Sequence, residues 1–353
     1  MLETRPLVTV AMPVFNAEKY LEEAIQSILD QTFANFELII IDDGSSDGSF
    51  QLLKRFRDSD RRIRLIKREN RGISSTVNEI LDLAQSQYFA LMHADDIAMS
   101  RRLEYQIKWM EKTGADICGT WAQLFGTTDH RILRHAQTDA AIKLELLFCC
   151  AFANPTVMMK TQVIKSLRYD SDWDSAEDYE LWVRAACAGY TMTNLPKVLL
   201  QYRLHMGQIS SSSHNLQQEL SQKIKGKYWT FLAPSIGLSA DEVDSILKLR
   251  EQSISNLNLK LIDSCFNKLL KKTSCEGRLT VFDQITRLYF RMAYCSLKVP
   301  ILWLRLKLKF KINGQFKSFL AILFLSLLKV KPSSKIFVKL KKLYFQFSEK
   351  WSS

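Results

Sequence analysis

Between Leu7 and Met92, short apolar runs alternate with amphipathic stretches at a steady pitch, and no other feature of the chain restricts its fold as strongly. Leu7–Met12 reads as a buried first strand that ends at Pro13, and Phe36–Ile41, Ile63–Lys67 and Tyr88–Met92 read as three more. Helical spacing fills the gaps. Tyr20, Leu21, Ala24, Ile25, Ile28 and Leu29 mark a helix capped by Asn16 and running to about Gln31. Phe50, Leu53 and Phe56 form the inward side of a second helix, and Ser74–Ala84 is a third. Strand, helix, strand, helix predicts parallel strands joined by crossovers, an α/β fold. Ligands in such sheets bind outside the carboxyl ends of the strands.

Those ends carry acids. Asp42-Asp43 follows the second strand, and His93-Ala94-Asp95-Asp96 follows the fourth. Paired carboxylates suit a divalent cation such as magnesium or manganese held against a diphosphate; a solvated loop is the plainer alternative. Asp42 and Asp43 can also be read as a helix cap, a role that suits Ser45 or Ser46 better. Further on, Arg101–Lys112 reads as a helix with Leu103, Ile107 and Met110 inward, and Ile117–Trp121 as a strand. A hairpin, a helix around Ala140–Phe148 and a strand near Thr156–Met159 follow. Glu177–Ala188 is an amphipathic helix opened by Glu177 and Asp178, with Trp182 on its apolar side. Val198–Tyr202 is a strand ending in Arg203-Leu204-His205. Residues 1–213 form one expected domain, closed by the serine run Ser210–Ser213; 214–296 is a helical extension without recognisable chemistry, and 297–353 a distinct tail.

Charge separates that tail from the rest. Residues 297–353 hold thirteen Lys/Arg against one acid, whereas 1–296 balance at 36 against 36, so the whole net charge of +12 sits in the tail. Ile336, Leu340, Leu343, Tyr344 and Phe347 fall on one helical face, with Lys335, Lys339, Lys341 and Lys342 away from it. That pattern fits a helix lying in a membrane interface, lysines toward anionic head groups; packing on the protein body is the alternative. Leu304–Ile312 alternates apolar and basic residues like a strand, and its conformation stays open. The interleaved residues are mainly aliphatic, which argues against nucleic acid as partner. Phe319–Leu328 is about half the ~20 residues a spanning helix needs, so no span is expected. The N-terminus lacks the pattern of a signal peptide, and seven cysteines without CxxC spacing suggest reduced thiols in the cytoplasm.

Four blocks in order resemble family 2 glycosyltransferases: Val8–Asp47, Asn70–Gln106, Ser175–Tyr190 (SAEDYELWVRAACAGY) and Tyr202–Ser210 (YRLHMGQIS), together spanning residues 7–210. The resemblance implies the GT-A fold, with a mixed, mainly parallel sheet flanked by helices, and inverting transfer of a sugar from a nucleotide diphosphate. It implies that Pro13 and Phe15 line the nucleotide and that Asp43 accepts a hydrogen bond from the base. A carboxylate accepts well from the N3–H of uracil and also from the N1–H of guanine, and finds no such partner on adenine; this favours a UDP-sugar and leaves a GDP-sugar open. Asp95 and Asp96 match the metal motif, with Asp95 also beside the nucleotide. The family usually reads Asp-Ala-Asp-Asp where this chain has His93-Ala94-Asp95-Asp96, so the first acid is replaced. His205 matches a histidine that completes the metal shell or touches the diphosphate in some relatives; a structural role is the alternative. Asp178 matches the general base. Asn154, Glu177, Arg203 and His93 fall on the acceptor side or behind the contacting residues.

The expectation is therefore an inverting, Mn2+- or Mg2+-dependent glycosyltransferase that extends a glycan or lipid-linked acceptor in cell-envelope synthesis, peripheral to the inner face of the plasma membrane. Two alternatives stand beside it. One is a catalytically silent sugar-nucleotide-binding scaffold, against which the retained Asp178 argues. The other is a nucleotidyltransferase, whose Gly-rich basic phosphate loop is absent from Pro13–Ala17.

Overall fold

The computed structural model describes residues 5–205, 214–249, 257–312 and 316–330, with Ser334 and Phe337. The serine run Ser210–Ser213 and the helical face Ile336–Phe347 lie outside the described residues, apart from Phe337. Two compact units divide the chain, Met1–Ile224 and Lys225–Ser353.

The first unit is built on a nine-stranded sheet: β1 (Val8–Val14), β2 (Phe36–Asp43), β3 (Ile63–Arg68), β4 (Tyr88–Leu91), β5 (Ile97–Ala98), β6 (Ile117–Phe125), β7 (Ile132–Leu133), β8 (Met158–Lys160) and β9 (Met192–Arg203). Their spatial order is β3-β2-β1-β4-β8-β6-β9-β5, with β7 paired to β6. β1 to β4 run parallel, β8 is antiparallel to both its neighbours, and β6 and β9 are parallel. Helices α1 (Glu18–Leu29), α2 (Ser49–Ser59), α3 (Ile73–Leu83) and α4 (Arg102–Thr113) connect the early strands, and α5 (Asp139–Glu145), α6 (Thr161–Leu167) and α7 (Glu177–Cys187) the later ones. Val8, Val10, Met12 and Val14 share one core with Leu21, Ile25 and Ile28 of α1 and Leu103 and Ile107 of α4. Ala11 on the opposite face is equally buried, which is why β1 shows no polar alternation.

Four local expectations need correction. β1 does not stop at Pro13 but pairs with β2 through Val14. Leu7 and Ala11 offer their carbonyls to β4, so Pro13 also faces that side, beyond the last bonded residue of β4, and its missing N–H costs no ladder bond. Asn16 does not cap α1. It sits at φ +50°, and its Oδ1 accepts from the Ser46 amide at 2.9 Å. The first α1 amides are satisfied across the loops instead, Ala17 by Ser49 Oγ and Glu18 by Asp47 Oδ2. Ser45 and Ser46 bond to Asn16 rather than capping α2, whose first amide goes to Asp47 Oδ1. In α2 the buried positions are Leu52 and Leu53; Phe50 and Phe56 are only half-buried, and Phe50 lies under Lys54 and Lys67.

The second unit is helical. α8 (His214–Ile236) leads into it, followed by α9 (Ala240–Lys248), α10 (Leu259–Lys272), α11 (Cys275–Met292), α12 (Lys298–Lys309) and α13 (Phe316–Leu327). A capping box of Ser239 and Glu242 starts α9. Phe266, Phe282, Tyr289 and Trp303 form its buried aromatic centre, and the Trp303 indole donates to Thr286 Oγ1 at 2.9 Å. The stretch Leu304–Ile312, strand-like in pattern, is helical to Lys309 because Trp303 and Leu306 pack inward at helical spacing.

Candidate active site

Asp42 and Asp43 end β2, and Asp95 and Asp96 follow β4, with the end of β1 between them. After β4 a turn brings His93, Asp95 and Asp96 together, with one ligand atom of each within 4.8 Å of the others. Asp96 is 1% exposed; its Oδ1 accepts from the Arg203 amide at 2.8 Å, and its Oδ2 is buried without a hydrogen-bond partner. Burial, then the neighbouring Asp95, raises the Asp96 carboxyl well above the usual range. His93 is drawn the other way, its pKa lowered by desolvation against the pull of Asp95, which keeps the imidazole neutral and able to ligate. Its Nδ1 stands 3.8 Å from Asp96 Oδ2 and its Nε2 3.5 Å from Asn154 Nδ2. An unpartnered buried carboxylate oxygen, a second acid and a neutral imidazole within one coordination sphere fit a divalent cation of manganese type.

Two elements hold this cluster from opposite sides. At the end of β9, Arg203 Nε donates to the Asp95 carbonyl at 2.7 Å, and its guanidinium lies against the Tyr20 and Phe125 rings and pairs with Glu23. His205 Nε2 is 2.9 Å from Asp95 Oδ2, and its ring tilts over Tyr20. From α4, the fully buried Arg102 donates to the Leu91 carbonyl at 2.8 Å and to Gln106 Oε1 at 3.0 Å. Gln106 in turn donates to the carbonyls of Cys118 and Thr156. Burial pushes Arg102 down to about 10, and Asp96 opposes that shift.

At the end of β2, Asp43 is occupied. Its Oδ1 accepts from the Arg71 amide and its Oδ2 from the Gly72 amide, both at 3.0 Å, while Arg68 pairs with Oδ1. A carboxylate has about four acceptor positions, so one remains, on Oδ2. Gly72 is required here: its φ is +85°, and a Cβ would stand 2.8 Å from Asp174 Oδ2. Asp42 accepts from the Ser45 amide at 3.1 Å through Oδ1. Phe15 is 53% exposed, unusual for a phenylalanine beside a site of this polarity.

α7 contributes the other acids. Ser175, at φ +85°, turns the chain sharply into that helix, a non-glycine strain of about 1–3 kcal/mol. Ser74 Oγ donates to Asp174 and fastens the turn to α3. Asp178 accepts from the Tyr179 amide at 2.6 Å, and its Oδ2 lies 3.9 Å from Cys150 Sγ; burial raises its pKa. Burial, then Asp178, pushes Glu177 up to about 8. A cleft lined by Pro13, Leu91, His93, Asn154, Tyr169 and Glu177 joins the two clusters. Glu177 lines it, and Asp178, the next residue, does not.

Of the residues expected at the site, Pro13, His93, Asn154 and Glu177 thus meet in one cleft, and Asp95, Asp96, Arg203 and His205 form one bonded group beside it. Asp43 lies in a separate network with Arg68. Sequence reasoning missed Arg68, Arg102, Gln106, Cys150 and Tyr169. Arg102 and Gln106 share the inward side of α4 with Leu103 and Ile107, and polar residues at core spacing were the available signal. Nothing local marked the others.

Residues 9–166 match the family model "Glycosyl transferase family 2". An uncharacterized glycosyltransferase of Haemophilus influenzae is 32% identical over 279 residues, covering 74% of this chain and 85% of the relative. The O-antigen biosynthesis glycosyltransferase WbnJ of Escherichia coli is 32% identical over 206 residues, 57% of this chain and 80% of that protein. In fold, the chain resembles S. aureus TarS 1–349 in complex with UDP-GlcNAc (TM-score 0.54, 17% identity, 90% of both chains). It also resembles the mannosyltransferase PcManGT from Pyrobaculum calidifontis in complex with GDP-Man and Mn2+ (TM-score 0.50, 13% identity, 99% and 89%).

Proposed function

The chain belongs to glycosyl transferase family 2, with a GT-A-like α/β fold and a helical C-terminal region, and from that premise we propose an inverting, metal-dependent sugar transfer to a cell-envelope glycan. It is a nucleotide-sugar-dependent glycosyltransferase; donor, acceptor and mechanism are the proposal. The observation that carries it is the grouping of Asp95 and Asp96 with His93, which lines a cleft together with Glu177. Asp95, Asp96 and His93 would hold the cation, Mn2+ or Mg2+, with His205 orienting Asp95 as an outer partner rather than a direct ligand. A cation there supplies Lewis-acid stabilisation of the charge that grows on the leaving diphosphate.

Asp178 serves as the general base that takes the acceptor hydroxyl proton while that oxygen attacks the anomeric carbon from the face opposite the nucleotide. Its raised pKa matches that task, because a carboxylate reluctant to lose its proton is a better acceptor near neutral pH. Glu177 lines the acceptor side and shares its charge with Asp178. Asn154, beside His93, offers an amide to a sugar hydroxyl. Pro13 and the exposed ring of Phe15 pack against the nucleoside, and the remaining position on Asp43 Oδ2 receives the base N–H, uracil preferred. UDP-GlcNAc in one fold neighbour and GDP-Man in another support a nucleoside diphosphate whose base carries such a proton. The O-antigen biosynthesis role of WbnJ supports an envelope acceptor, and the basic C-terminal region supports its location at the inner face of the membrane.

The test is a panel of UDP- and GDP-sugars with manganese or magnesium, scored for slow donor hydrolysis and for transfer. Turnover of one UDP-sugar that EDTA abolishes is the expected result. Binding of a nucleotide sugar without turnover under any condition would favour the silent scaffold and end the catalytic reading.

A further inference from the structure

α13 is apolar on its outer side as well as on its inner one, where Ile322 and Leu325 are 0% and 1% exposed. Ser318 and Ser326 are 1% and 2% exposed, whereas Leu320, Phe324 and Leu327 stand in solvent, with Leu328 just past the helix end. Those apolar residues follow i, i+4, i+7, i+8 spacing and so form one continuous stripe. A helix that meets water on its outer side ordinarily carries its polar residues there, because hydroxyls are solvated at no cost and large apolar groups are not. α12 repeats the pattern. Val299, Trp303 and Leu306 are buried, while Leu297, just before the helix, Ile301 and Leu308 form an outer stripe, the last two 65% and 68% exposed.

The two helices form an antiparallel pair. Trp303 stacks on Phe319 at 6.1 Å, and Ser326 Oγ donates to the Ser296 carbonyl at 2.9 Å. The stripes therefore run at matching levels along one hairpin. Basic residues edge them: Lys298, Arg305, Lys309, Lys311 and Lys329 are exposed, Arg305 standing 3.9 Å from Asp263 and Lys309 bonded to Asn267. From residue 297 to 330 the chain has seven Lys/Arg and no acid. A protein partner of ordinary composition does not demand that one-sided charge; an anionic lipid surface does. At 12 residues α13 is about 18 Å long, short of the ~30 Å of a hydrocarbon core, and among the described residues no helix is long and apolar enough to cross a membrane.

We propose that the α12–α13 hairpin is a membrane-docking face that lies in the head-group region of an anionic bilayer, its leucines and Phe324 inserted and its lysines at the phosphates. This rests on the membrane location proposed above and assigns it to a surface other than the 336–347 segment. The test uses the full chain in co-sedimentation with vesicles of phosphatidylcholine alone and with added phosphatidylglycerol. The wild type is expected to bind the anionic vesicles only. Replacing Ile301, Leu308, Leu320 and Phe324 together by Ser should weaken that binding at least about tenfold with donor hydrolysis retained. Lys298→Glu with Lys311→Glu, confined to exposed positions, should do the same and keeps the test decisive if the first variant fails to fold. Wild-type binding that both variants retain would overturn the hairpin assignment while leaving the membrane reading in place. No wild-type binding would end both. A dimer in solution that the serine variant dissociates would show that a second copy covers this face, and would overturn the proposal.

Discussion

His205 Nε2 stands 2.9 Å from Asp95 Oδ2, although 110 positions separate the two residues in the chain. The contact fixes which way the Asp95 carboxylate points, and the Arg203 amide does the same for Asp96. His205→Ala should therefore lower Mn2+ affinity about 10–100-fold, the usual effect of removing an outer partner of a metal ligand. Titration calorimetry with manganese and UDP checks this. Unchanged affinity would make His205 merely a packing partner of Tyr20.

Asp178→Asn keeps the shape and removes the proton acceptor. Transfer should fall about 10²–10⁴-fold while donor affinity stays within a small factor. In the wild type, burial raises this carboxyl, so the acidic limb of kcat should have its midpoint above the ordinary carboxylate range and vanish in the variant. Near-normal turnover of Asp178→Asn would assign the base to Glu177.

Glu177 is pushed from 4.5 up to about 8 by burial and Asp178, so between those values the folded chain holds a proton that the unfolded chain has lost. Stability from this group is full below about pH 4.5 and declines as pH rises through about 8. Glu177→Gln should leave Tm nearly unchanged near pH 5 and raise it by at least about 2 °C near pH 8.5. Scanning fluorimetry at both values decides it; equal shifts at both would mean that Glu177 ionises normally.

Arg102→Ala removes a buried cation that holds the Leu91 carbonyl and Gln106 and attracts Asp96. The cost should be about 3–5 kcal/mol of unfolding free energy, measured in urea, since polar partners are left buried without compensation. A loss under about 1 kcal/mol would show that water replaces the guanidinium freely.

His93→Asp exchanges the imidazole for the acid usual at this position. With oxygen donors only, activity in magnesium should rise relative to manganese. A collapse of activity in both metals would give the histidine a role of its own, such as holding Asn154.

Much of the first unit was legible in its residues. The period-two and period-3.6 patterns located β1 to β4 and α1 to α4 because burial on a strand or helix is a local, repeating demand. Ends were less legible. The real partners of the first α1 amides are Ser49 and Asp47, the latter 29 residues downstream of Glu18, and a nearby Asn16 imitates the usual cap closely enough to mislead. Leu304–Ile312 stayed open for a related reason: its alternating pattern looked strand-like, and only the packing of Trp303 and Leu306 selects the helix.

The sequence by itself determined where carboxylates would emerge, at the ends of β2 and β4 and the start of α7, since each follows directly from an apolar run or a helical pattern. Which of them meet was decided only by the tertiary structure. Strand order brings β9 back so that Arg203 and His205 reach Asp95 and Asp96, and the turn at Ser175 puts Glu177 rather than Asp178 on the cleft. Likewise, a run of leucines and lysines announces an amphipathic segment, but only the packed hairpin shows Leu306 and Leu325 turned in and Leu308, Leu320 and Leu327 turned out. Local patterns report the period of burial; the direction of each side chain depends on what the rest of the chain has packed against it.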